Sequence, residues 1–142
     1  MKRYVPILLT TVLNLTLIGC GGPLKYEVTS SAQAPGADAR MVARVEKAQH
    51  STTVDIDVTN LAPPERVASG AVAFVIWQRK DSTVTWSRVG ALSYDEKTRS
   101  GSFSGTVPEV AFNLSICAEN RLNVVTPSTD IVFSQRIEKE KK

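Results

Sequence analysis

From residue 39 onward, apolar and polar side chains alternate with a period of two, the signature of strands buried on one face. Ala39, Met41, Ala43 and Val45 point one way and Arg40, Arg44 and Glu46 the other, with Val42 the exception. Val54, Ile56 and Val58 alternate with Asp55, Asp57 and Thr59 in the clearest half-buried strand of the chain. Ala71–Trp77 is apolar at every position, as expected of a strand covered on both faces. Val84-Thr85-Trp86 continues from it after Asp81-Ser82, a turn-forming pair. Val89–Tyr94 and Ser102–Val107 flank the polar loop 95–101, Phe112–Ala118 alternates again, and a last apolar stretch runs from Ile131 to Ile137.

Pro63-Pro64, Pro108 and Pro127 fall between these segments, where a missing backbone donor is tolerated. No helical stripe is long enough to name. The pattern predicts an all-β fold, an antiparallel immunoglobulin-like β-sandwich of seven or eight strands spanning residues 38–137. A small closed barrel is the runner-up. The Cys…Trp…Cys signature of antibody domains is missing.

The first twenty residues follow different rules. Lys2 and Arg3 precede an apolar run from Ile7 to Ile18, broken only by Asn14 and the hydroxyl-bearing threonines. Twelve helical residues span about 18 Å, short of a hydrocarbon core of about 30 Å, so the run suits a signal peptide better than a membrane span. It ends in Leu17-Ile18-Gly19-Cys20, which resembles the lipobox of bacterial lipoproteins. The resemblance implies cleavage between Gly19 and Cys20 by the lipoprotein signal peptidase, which recognises Leu17, Ile18 and Gly19. It also implies a diacylglyceryl thioether on the Cys20 sulfur. Residues 1–19 would then be a cleaved signal peptide, and the membrane a partner through the lipid on Cys20. Gly21 stands where aspartate retains many lipoproteins of enteric bacteria in the inner membrane. The expected address is therefore the cell envelope, with the outer membrane favoured where the source has two.

Cleavage changes the charge balance. It removes two of seventeen basic residues, leaving fifteen against fourteen acidic ones, so a formal charge of +3 becomes +1. A near-neutral domain argues against nucleic acid as a partner and offers no overall electrostatic attraction to a lipid surface. Residues 20–37 contain Gly21-Gly22-Pro23 and Ser30–Ala37, rich in small residues and breakers, and read as a lipidated N-terminus and tether in which 25–29 could form a first strand. Residues 138–142 are charged at every position, a solvated tail.

Little in the domain points to chemistry. With Cys20 committed to lipid, Cys117 has no disulfide partner and reads as a small half-buried strand residue. His50 is the only histidine and lies in a polar stretch, so neither a Cys/His metal set nor a catalytic base is marked. Asp55 and Asp57 lack the dense oxygen donors of a calcium loop and read as a solvated strand face. Trp77 reads as core, while Trp86, between Thr85 and Ser87, is the candidate ligand platform. No catalytic residue, metal ligand or cofactor is expected.

The segments Asn60–Pro64, Phe74–Trp77, Val89–Leu92 and Phe112–Glu119 together are similar to the extracytoplasmic domain of anti-sigma-K-type factors. That resemblance implies a shared β-sandwich only, since the chain has neither the sigma-gripping segment nor the transmembrane helix of that family. The reading that follows is a membrane-anchored, non-catalytic binding module with an envelope protein or glycan as partner. A structural envelope lipoprotein is the alternative, and an envelope hydrolase built on His50 a more distant one.

Overall fold

The computed structural model describes residues 21–140; residues 1–20, on which the expected signal peptide and lipobox with Cys20 fall, lie outside the described residues. Nine strands form the fold: β1 Leu24–Thr29, β2 Asp38–Glu46, β3 Ser51–Thr59, β4 Ala73–Arg79, β5 Ser87–Ala91, β6 Ser93–Asp95, β7 Ser100–Val107, β8 Phe112–Glu119 and β9 Ile131–Ile137. One short helix, α1, spans Pro64–Val67. Its first helical residue is Pro64, where a missing N–H is no loss.

Two antiparallel sheets result, ordered β1-β2-β3-β7-β6 and β5-β4-β8-β9. Setting β1 aside, this is the order of an immunoglobulin-like sandwich, with four strands on each side. The alternation read from the sequence decides which side chains fill the interior. Met41, Val54, Ile56 and Val58 from the first sheet meet Phe74, Ile76, Leu114, Ile116 and Phe133 from the second, all essentially inaccessible to water.

Residues 38–137 hold eight strands, within the seven or eight expected, but individual boundaries differ for local reasons. Val89–Tyr94 is not one strand. β5 ends at Ala91, β6 begins at Ser93, and the two pair in different sheets, with Leu92 buried at the crossover. Val84-Thr85-Trp86 is not a strand at all. The Asp81 carboxylate accepts from both the backbone N–H and the hydroxyl of Thr83, at 2.8 and 2.5 Å, and this turn carries the following residues off the sheet. Those two bonds also hold the Asp81 carboxyl below its ordinary pKa. In the apolar run 71–77, Val72 precedes the strand and is exposed, so continuous hydrophobicity overstated the strand's length.

The expected tether is mostly part of the fold. β1 pairs along the whole of Leu24–Thr29 with β2. The loop after it buries Ala34 and Ala37 and reaches the other sheet, where the Ser31 N–H donates to the Val132 carbonyl at 2.8 Å. Among the described residues, only Gly21-Gly22-Pro23 precedes the first strand.

The sheets converge on one side where β5 meets β7. The Phe103 ring fills this seam, and a Cβ on Gly90 or on Gly105 would stand 2.5 Å from it. Only glycine leaves room at both positions.

Candidate functional site

β4 has two buried faces. Phe74 and Ile76 point into the sandwich, while Val75 and Trp77 point outward and form a second small cluster with Cys117 of β8. The loops 80–86 and 120–130 fold back over this outer face, and Trp86 and Val124 close onto it. Buried Glu119 fastens the second loop by accepting the Ser128 N–H at 2.8 Å, while the Ser128 hydroxyl donates to the Ala118 carbonyl at the same distance. Trp77 is thus buried as expected, but beneath surface loops rather than between the sheets.

Next to this cluster runs an open groove of about 370 Å³, lined by Arg79, Trp86, Asn113, Ser134, Gln135 and Arg136 among others. Its floor is one cross-strand row, since Arg79 is paired with Asn113 and Asn113 with Arg136. The Arg79 guanidinium lies over the Trp86 ring with its carbon 4.4 Å from the ring centroid, a cation–π stack. A ligand at Trp86 therefore meets indole and guanidinium together.

The charges in the groove are unbalanced. Its lining contains two arginines and no carboxylate. Arg136 is held by donating to the Lys80 carbonyl at 2.7 Å and to Glu138 at 3.3 Å. The Arg79 guanidinium makes no hydrogen bond or ion pair among the described residues, and its Nε is buried without a partner. The Trp77 Nε1 is buried without a partner as well. Exposed apolar side chains accompany the loops: Val125 is 84 % and Leu122 58 % accessible.

The other candidates are not brought into this site. Asp55 accepts from Ser104 at 2.6 Å and pairs with Arg44, and the Ser104 bond is the main reason its carboxyl titrates below the ordinary range. Asp57 is exposed on the same strand, opposite Arg40. His50 ends the β2–β3 hairpin with a left-handed φ of 50°, and its Nε2 stands 3.6 Å from a Glu109 carboxylate oxygen. No serine hydroxyl bonds to His50 among the described residues. Among those residues, too, no cluster of three or more His, Cys, Asp or Glu side chains suits a metal ion, and no helix is long and apolar enough to cross a membrane.

Cys117 is fully rather than half buried, and burial pushes its thiol up to about 11 despite a weak contact with the Ser115 hydroxyl. Raising the pKa from 9.0 to about 11 leaves roughly a hundredfold less thiolate at pH 8. The folded protein is therefore expected to react with a thiol reagent at least about a hundredfold more slowly than the denatured chain. Comparable rates measured by mass spectrometry with and without denaturant would contradict this environment.

Arg79 and Arg136 were not singled out from the sequence, because an arginine on a strand ordinarily marks a solvated face. One signal was available. Trp77 and Arg79 are two apart, so a strand directs them to the same side, and a second tryptophan follows after a turn.

The chain matches no protein-family model, no curated protein and no solved structure.

Proposed function

We propose that this chain is a lipid-anchored protein of the bacterial cell envelope that acts as a non-catalytic binding module, with the Trp86–Arg79 groove as its ligand site. Cleavage before Cys20 and lipidation of its sulfur supply the address, favouring the outer membrane where the source has two. The observation that carries the binding role is Arg79, whose guanidinium lies over the Trp86 ring in the groove without a partner among the described residues. The rest of the guanidinium lines the groove and bonds to no group among the described residues, which leaves its terminal nitrogens to donate to a ligand's acceptor.

A purely structural envelope lipoprotein would have no need for such a group. The exposed Leu122 and Val125 on the adjoining loop also favour a partner over an inert surface. Envelope protein or glycan are both chemically suited to a site that combines an aromatic ring, amides, hydroxyls and guanidinium groups.

The test is recovery from detergent-solubilised membranes of the lipidated chain and of its Trp86→Ala variant, followed by analysis of bound protein, glycan and lipid. A component recovered reproducibly with the parent and depleted with the variant is the expected result. Identical recoveries from both would favour the structural reading.

A further inference from the structure

We propose that the end of the sandwich nearest Cys20 lies on the bilayer holding the lipid, and that the Trp86–Arg79 groove takes the phosphate of a lipid headgroup. This rests on the lipoprotein reading and names the ligand of its groove.

Chain length makes the first argument. Gly21 is bonded to Cys20 and β1 begins at Leu24, so the lipidated residue and the sheet are at most about 14 Å apart. The headgroup region is itself several ångströms thick on each side of the hydrocarbon core. A sandwich fastened this closely has little freedom to stand off the membrane.

Topology makes the second. Leu24 is paired at the end of β2 that leads into the Lys47–Gln49 turn. β4 ends there at Arg79 and β9 at Ile137, and the Tyr26 hydroxyl meets the backbone of Glu138 across the two sheets. The groove's row of Arg79, Asn113 and Arg136 therefore lies at this root end. The far end carries the turns after β1, β3 and β6.

Charge makes the third. Lys47, Arg79, Lys80, Arg136 and Lys139 gather at the root, where Glu46, Asp81, Glu109, Glu138 and Glu140 also lie. Of these carboxylates, Glu138 is engaged by Arg136, Glu109 faces His50 and Asp81 accepts from Thr83, and none lines the groove. The positive charge at the root is therefore local to the groove, whose lining holds two arginines and no carboxylate. Headgroup phosphates complement the two arginines of the groove, and the planar guanidinium of Arg79 suits phosphate oxygens that can be contacted in pairs. The indole of Trp86, apolar in body with one polar N–H, suits the same depth. Tethering also keeps headgroup phosphate at a far higher local concentration than any soluble anion.

The experiment reconstitutes the lipidated full-length product into two kinds of vesicle. One is phosphatidylcholine with about 30 % phosphatidylglycerol; the other is galactosyldiacylglycerol, which carries no phosphate. Both contain a fatty acid with a nitroxide at carbon 5, just below the headgroups, and Trp86 fluorescence is obtained by subtracting a Trp86→Phe variant. The expected result is strong quenching of Trp86 in the phospholipid vesicles. Quenching should fall by about half or more in galactolipid, and again in phospholipid when Arg79→Gln or Arg136→Gln is used. The Arg79→Lys variant should retain part of it, separating charge from loss of fold. Protein that floats with the vesicles while Trp86 stays unquenched would overturn this proposal and leave the anchor intact. Equal quenching in both lipids and in the glutamine variants would overturn the phosphate site. Protein that does not float at all would remove the lipoprotein reading, and this one with it.

Discussion

Replacing Cys20 by alanine is expected to abolish lipidation outright: intact-mass measurement should find the full precursor, with Met1 or its successor at the N-terminus and no acyl mass. The reason is chemical. Only the sulfur of Cys20 can form the thioether in the Leu17-Ile18-Gly19-Cys20 pattern. The lipoprotein peptidase acts on the lipidated form, so both modification and cleavage fail together. The physical effect is large because each buried CH₂ contributes about 0.8 kcal/mol and a single chain binds only marginally, whereas two or three on one residue hold permanently. Mass rather than location is the decisive readout, since an uncleaved apolar segment can itself keep a precursor at the membrane. A Cys20→Ala chain that is cut normally between residues 19 and 20 would refute the anchor.

The second large effect is on stability. Trp77→Ala should destabilise the domain by about 3–5 kcal/mol, the range for truncating a fully buried large aromatic side chain. For a domain of this size, that corresponds to a fall in melting temperature of roughly ten to twenty degrees. Trp77 has no accessible surface, and its loss opens a void between Val75, Cys117 and the loops that cover them. Trp86→Ala should cost clearly less, because Trp86 is only partly buried. Trp77→Phe should also cost less than Trp77→Ala, since it keeps most of the ring volume and removes an indole N–H that has no acceptor. Thermal and urea unfolding followed by circular dichroism would rank the three. A Trp77→Ala chain as stable as Trp86→Ala would show that the outer cluster contributes little to holding the sandwich together.

The sandwich was legible because burial of one sheet face writes itself into every second residue. Val54, Ile56 and Val58 point inward as their alternation with Asp55, Asp57 and Thr59 predicts. The apolar run Ala71–Trp77 signalled two covered faces for most of β4, although nothing in the run itself says that surface loops supply the second cover. Errors arose where local pattern and long-range pairing diverge. Val89–Tyr94 is one apolar stretch, yet two sheets divide it at Leu92. Ser30–Ala37 has the composition of a free linker, yet Ala34 and Ala37 are buried, because small side chains also fit a loop pressed against a sheet. The groove escaped for a similar reason. Arg79 and Arg136 are far apart in the chain and become parts of one row only through their common neighbour Asn113.

By itself, then, the sequence determined the alternating strands, the fold class and the lipobox pattern, since each depends on residues close together along the chain. Only the tertiary structure decided that β1 closes the edge of a five-stranded sheet, that Trp77 is covered from outside, and that Trp86 shares its site with two arginines. Those are matters of pairing between distant strands. The backbone hydrogen bonds that join strands are the same for every residue type, so the choice of neighbouring strand leaves little trace in local sequence.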